Sequence, residues 1–182
     1  HEIGHLAYGI ADVTKSETSP FLFPDQLDST AFTVMSYNQS SVLFGEAHRD
    51  RVDNPLLSGT AFSQRRYGAN LQHNRGDNSN VIDRNSYTTI WDAGGIDTLQ
   101  ASANAGDSVT LDLRQGEFSQ VSTTGLVAIA YGAIIENDIG SDNDDIVYAN
   151  DASNIIHTLG GDDVVHEVKV GDIVNGGAGN DQ

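Results

Sequence analysis

The sequence predicts an α+β region followed by an all-β parallel β-roll. Three observations carry that prediction. His1-Glu2-Ile3-Gly4-His5 suits a helix, the apolar period changes from helical to alternating after Tyr67-Gly68-Ala69-Asn70, and from Asp145 onward the chain repeats itself every nine residues.

In chain order, residues 1 to 8 suit a helix that Gly9 would end, because glycine reaches the left-handed conformation without steric cost. A Ser/Thr/Pro-rich loop follows from Thr14 to Thr30. Asn54-Pro55, then Leu56, Leu57, Ala61 and Phe62, read as a capped helix with proline near its first turn, weakened in the middle by Gly59, Thr60 and Ser63. Val109, Leu111 and Leu113 alternate with polar residues as a half-buried strand does, and residues 126–131 form a second β segment apolar on both faces. A boundary near residue 68 therefore separates a first domain, 1–67, from a second, 68–182.

The chain of 182 residues is long enough for one ordinary domain or two small ones. Acidic residues outnumber basic ones 26 to 9, for a net charge of -17. That balance disfavours nucleic acid and anionic membrane as partners and favours divalent cations. The negative field is concentrated at the end, since Lys169 is the only Lys or Arg from Asn137 to Gln182. Without cysteine there are neither disulfides nor thiolate metal sites. The sequence shows no membrane span and no signal peptide. A chain that opens on a metal ligand is expected to continue upstream, so a missing leader is uninformative.

The repeat is seen by counting. Asp145, Asn154, Asp163, Asp172 and Asp181 are each nine residues apart, and Val147, Ile156, Val165 and Val174 follow two places behind the first four. This matches the tail of the nonapeptide Gly-Gly-x-Gly-x-Asp-x-apolar-x, whose repeats wind a parallel β-roll that binds calcium. The apolar residue points inward from a short strand, and the Gly-rich turn offers a carboxylate and carbonyls to a hard cation that takes six to eight oxygens. Repeats alternate sides, so each Ca2+ would lie between repeats two apart, pairing Asp145 with Asp163, Asn154 with Asp172 and Asp163 with Asp181. Only Gly176-Gly177-Ala178-Gly179-Asn180-Asp181 keeps every glycine; Ser141, Asp142, Ala149, Thr158 and Leu159 weaken other turns. Unneutralised carboxylates would repel, so folding here is expected to need calcium. An acidic solvated linker is the plain alternative, and the shared phase of the acidic and apolar positions argues against it.

At the other end, His1 and His5 project from one helical face and can reach a single Zn2+, while Glu2 is placed to act on water rather than to ligate. Zinc acidifies bound water and polarises a scissile carbonyl, and the glutamate takes the water's proton and later delivers it to the leaving amine. Thirty residues after His5 the chain reads Phe32-Thr33-Val34-Met35-Ser36-Tyr37-Asn38.

These motifs resemble a serralysin-type metalloprotease, the calcium-dependent secreted metzincins of bacteria (peptidase family M10B) that carry RTX repeats. The resemblance extends through Asn54-Pro55-Leu56-Leu57, Tyr67-Gly68-Ala69-Asn70-Leu71, the stretch from Thr89 through Trp91-Asp92-Ala93-Gly94-Gly95-Ile96-Asp97 to Leu99, and Ile135-Glu136-Asn137. It implies a partial metzincin catalytic region before the roll, with Met35 as the floor under the zinc. Tyr37 would be a switchable zinc ligand that also stabilises the tetrahedral intermediate. One departure stands out: Tyr8 occupies the family's glycine position and Ala11 its third histidine position, while Gly9 and Asp12 keep the same spacing one residue late. Asp12 is then the third ligand, since carboxylate oxygen binds zinc at nearly the imidazole distance, or else the site has decayed. His48 is a weaker substitute.

The resemblance also implies two calcium sites between the domains. Asn74, Gly76 and Asn78 would share one ion with Asp92, Gly94 and Asp97, and Gly95, Asp97 and Glu136 would hold another. The family usually has arginine where Asn74 stands, and ligation through a backbone carbonyl tolerates the exchange. Arg75-Gly76-Asp77 spells an adhesion tripeptide, a match common by chance that falls within this loop. Trp91 is expected to be a packing anchor.

The expected function is a secreted, extracellular zinc metalloendopeptidase acting on extended polypeptide substrates, with a calcium-stabilised tail. A monomer is expected, and a proteinaceous inhibitor is an open partner. The metzincin sheet that provides the substrate-binding edge strand normally precedes the zinc helix, so this chain alone is expected to be inactive or badly impaired. A pseudopeptidase and a calcium-binding structural or adhesion module are the alternatives.

Overall fold

A computed structural model of the chain describes residues 56–102, 107–122 and 125–182. His1, Glu2, His5, Asp12, Met35, Tyr37, His48 and Asn54-Pro55 lie outside the described residues. The chain divides into two compact units, His1–Ala69 and Asn70–Gln182.

In the first unit, α1 spans Leu57–Tyr67. Gly59, Thr60 and Ser63 lie inside it despite their poor propensity, and the Ser63 hydroxyl donates to the Gly59 carbonyl at 2.8 Å. Gly68, at φ 85, stops the helix and returns its N–H to the Gln64 carbonyl, while Arg65 and Arg66 meet the negative end of the dipole. Among the described residues no helix is long and apolar enough to cross a membrane.

The regular elements described in the second unit are all β-strands. Its first half holds β1 (Ser79–Ile82), β2 (Tyr87–Ile90), β3 (Thr98–Ala101), β4 (Val109–Asp112), β5 (Phe118–Val121) and β6 (Gly125–Ile129). Its second half holds β7 (Asn137–Ile139), β8 (Ile146–Tyr148), β9 (Ile155–His157), β10 (Val164–His166) and β11 (Ile173–Asn175). One sheet has the order β1-β3-β7-β9-β11 and the other β10-β8-β4-β5-β6-β2. From β7 onward, successive strands fall in opposite sheets, and each pairs in parallel with the strand two repeats away. Thus Asn137 is opposite Ile155, Ile155 opposite Ile173, and Ile146 opposite Val164. The chain therefore winds as a parallel, roll-like coil. The antiparallel run β4-β5-β6 is the exception within it, with Val109 opposite Val121 and Phe118 opposite Ala128.

The core lies between the sheets. Leu99, Leu111, Leu113, Val121, Val127, Ile129, Ile135, Val147 and Ile156 are buried in one cluster, with Trp91 and Val165 packed against it. Each fully buried aliphatic side chain contributes about 1.5–3 kcal/mol relative to exposure. Every residue of β6 is buried, as its two-faced apolar sequence predicts. The apolar phase of the repeat also points inward: Val147 and Ile156 are fully buried, whereas Val174 is 40% exposed because β11 is an edge strand. One position breaks the pattern. Asp138 is aligned with Leu99 on one side and Ile156 on the other, fully buried, with both carboxylate oxygens unpartnered. Desolvation, and then the charge of Asp145, push its carboxyl well above the ordinary range.

Candidate metal-binding loops and turns

Two loops converge beside the start of the first sheet. Residues 74–78 lead into β1, and residues 91–97 connect β2 to β3. Gly94 and Gly95 have φ 129 and 150, and a Cβ on Gly95 would lie 2.5 Å from the Gly76 carbonyl oxygen, so glycine is what lets these backbones touch. The Asp97 carboxylate accepts the Asn78 N–H at 2.8 Å, and the Asp77 carboxylate accepts the Ile96 N–H at 2.9 Å. Asp92 accepts the Gly94 N–H at 2.9 Å, and Glu136 accepts the Asp97 N–H at 2.8 Å. Trp91 closes the loop from outside by donating its indole N–H to the Asn70 carbonyl at 3.0 Å, while its ring packs on the core.

These bonds leave Asn78 Oδ1, Asp92 Oδ2 and Asp97 Oδ2 buried without partners. Burial above all, opposed by the bond from Asn78 and reinforced by Asp92 and Glu136, pushes the Asp97 carboxyl up to about 6. Buried oxygens carrying negative charge without donors are what a hard cation satisfies. Among the described residues no three His, Asp or Glu side chains gather as a metal cluster, so an ion here would have to draw on backbone carbonyls and the Asn78 amide as well. Asn78, Asp92, Asp97 and Glu136 are thus brought into one network, with Gly76 and Gly95 in close approach; Asn74 sits nearby at φ 48. Within the adhesion tripeptide, Asp77 is committed to Ile96 and Arg75 donates to Gln72 at 3.1 Å.

The turns of the repeat stack at the eighteen-residue interval. Asp163 accepts the Asp145 N–H at 2.8 Å, Asp172 accepts the Asn154 N–H at 2.9 Å, and Asp181 accepts the Asp163 N–H at 3.2 Å. Each carboxylate holds the turn two repeats before it. Asp163 Oδ2 is then left buried and unpartnered. Asp145 has no such spare oxygen, since it accepts from the N–H groups of Val109 and Ser141 and from the Ser141 hydroxyl. Asn154 differs in kind. Its Oδ1 accepts the Asn150 N–H at 3.1 Å, and its Nδ2 donates to the Glu136 carbonyl at 2.8 Å and to Asn150 Oδ1 at 3.0 Å.

The turns contain groups that sequence reasoning passed over. Asp144 and Asp162 form a second ladder, accepting the N–H of Asp162 at 2.8 Å and of Asn180 at 3.0 Å; the same eighteen-residue count would have found it. Asn150 spans the roll, its Nδ2 donating to the Leu113 carbonyl at 3.0 Å and the Ile135 carbonyl at 2.8 Å. Arg114 binds buried Asp112 through two nitrogens at 2.9 and 2.7 Å, reaches Glu167 at 2.7 Å and lies 4.5 Å above the Tyr148 ring. Nothing in the local sequence signals a pairing across 53 residues.

Comparison with known proteins fits this geometry. Residues 63–182 match the family model described as Peptidase M10 serralysin C terminal. The chain is 34% identical over 172 residues to Serralysin B of Dickeya chrysanthemi, covering 81% of this chain and 34% of that protein. It is 36% identical over 178 residues to Serralysin of Proteus mirabilis, covering 86% and 35% respectively. For Serralysin of Photorhabdus laumondii the identity is 35% over 185 residues, covering 86% and 37%. The chain spans about a third of the length of the curated relatives it matches. By the match across two-thirds of its length, it belongs to the serralysin family of M10 peptidases and contains that family's C-terminal domain.

Proposed function

We propose that this chain belongs to a secreted zinc metalloendopeptidase and that its second unit is a calcium-stabilised RTX-type domain. One observation carries the calcium assignment: Asn78 Oδ1, Asp92 Oδ2 and Asp97 Oδ2 are buried and unpartnered, with Asn78 bonded to Asp97 and the Asp92 charge beside it. Asn74, Gly76, Asn78, Asp92, Gly94, Gly95, Asp97 and Glu136 would hold the loop ions, and Asp163 with Asp181 those of the roll.

The catalytic proposal rests on the family and on the donor set of the opening motif. Two imidazoles four residues apart, a carboxylate at Asp12 and a phenol at Tyr37 suit zinc. Zinc held there supplies Lewis acidity to a peptide carbonyl and to water. Glu2 accepts the proton of the attacking water and returns it to the departing amine, without a covalent enzyme intermediate. Tyr37 donates a hydrogen bond to the developing oxyanion. The substrate is an extended polypeptide. Ala11, at the family's third histidine position, favours a second reading, a pseudopeptidase retaining only the calcium domain.

Casein hydrolysis and zinc content, measured on the full-length protein containing this chain, separate the two. The peptidase reading expects about one zinc per chain and loss of activity in Glu2→Ala with zinc retained. Hydrolysis that survives Glu2→Ala sinks the proposed base, and a zinc-free protein without activity supports the pseudopeptidase.

A further inference from the structure

We propose that calcium lines only one edge of the roll, and that the other edge is closed by the protein's own amide and ammonium groups, chiefly Asn150, Asn154 and Lys169. This rests on the calcium reading above and departs from the symmetry that the nine-residue phase implies.

Alternate repeats place turns 140–145, 158–163 and 176–181 along one edge and turns 149–154 and 167–172 along the other. The first edge holds six aspartates, with neither lysine nor arginine, and includes the unpartnered buried oxygen of Asp163. Its backbones approach without side chains between them: a Cβ on Gly177 would collide with the Leu159 carbonyl, and one on Gly179 with that of Gly161. Carbonyls and carboxylates therefore crowd together there, and Asp163 Oδ2 is left without a donor.

On the second edge the donors are already present. The Asn154 amide uses both ends, and its orientation is fixed because a backbone N–H faces the oxygen and a carbonyl faces the nitrogen. Asn150 places its Nδ2 between the Leu113 and Ile135 carbonyls, so both carbonyls already have a donor from the protein. Lys169, eighteen residues after Asp151, sets its ammonium against the Asp151 carboxylate and 3.4 Å from the Asn150 carbonyl. A divalent cation cannot share that carbonyl with an ammonium group. Asp172 accepts the Asn154 N–H on one oxygen and the Lys169 N–H at 2.6 Å on the other, and Glu167 is paired with Arg114. Each acid of this edge thus has a partner within the chain.

The test is calcium counted by equilibrium dialysis on the full chain and its variants. Asp163→Asn is expected to bind fewer ions than the unsubstituted chain, and Asp172→Asn the same number. Loss of an ion in Asp172→Asn overturns the proposal. A chain that binds no calcium at all overturns the calcium reading, and the one-sided arrangement with it. Asn150→Ala provides a readout independent of ion counting: its melting temperature is expected to fall by several degrees, equally in calcium and in chelator. A fall confined to the calcium-loaded protein would mean that Asn150 serves an ion and would also overturn the proposal.

Discussion

Asp138 is the clearest local conflict in the chain. Counting nine residues back from Val147 lands on it, so the repeat itself marks the position as inward-facing, yet the residue there is an acid. The sequence thus made the position legible; what was not legible is that no donor meets the carboxylate, because that depends on neighbours 39 residues earlier and 18 later. An unpartnered buried polar group costs about 1–3 kcal/mol. Asp138→Ala is therefore expected to stabilise the protein by about 1 kcal/mol, after a small loss for the space left behind, measured by urea unfolding in calcium. Gly177 presents the opposite case. At φ 82 and against the Leu159 carbonyl it has no room for a methyl group, so Gly177→Ala is expected to cost about 1–3 kcal/mol. Leu159 occupies the equivalent place one coil earlier at φ 76, bearing that backbone cost without glycine.

At the scale of elements, the short strands were predictable only in phase. Three-residue strands such as β8 and β9 have too little length for propensity to act, and the nine-residue period located them. The antiparallel β4-β5-β6 run was half seen, with both apolar segments recognised and their connection through β5 missed. Arg114 ties this run to the roll. Its guanidinium holds Asp112, 4% exposed, and covers Tyr148 on β8, which stacks on His166 of β10 at 4.8 Å. Arg114→Lys is expected to lose about 1–3 kcal/mol in thermal or urea unfolding, since a lysine reproduces neither the two-point contact nor the flat stacking surface. A lysine variant as stable as the parent would show that charge alone suffices.

For the molecule as a whole, the nine-residue phase located the strands of the second unit and, with the acidic excess, raises the expectation that cations stabilise it, while the zinc motif lies outside the described residues. Chelation should therefore act on the β unit as a whole. With calcium a hundredfold above its dissociation constant, each site adds about 2.7 kcal/mol of stability. EGTA is expected to lower the melting temperature and diminish the β signal in circular dichroism, and Asp97→Asn should lessen that response. A melting curve indifferent to EGTA would contradict the assignment of the loop formed by Asn78, Asp92 and Asp97.

The strand pairing sets a rule of parity for this coil. Because partners among β7 to β11 are eighteen residues apart, excising two whole repeats shortens the coil while leaving each surviving strand in its own sheet. Excising one, such as residues 155–163, transfers every later strand to the opposite sheet and carries Lys169 into the file of aspartates. Tolerance to deletion should therefore alternate with the number of repeats removed, even before odd.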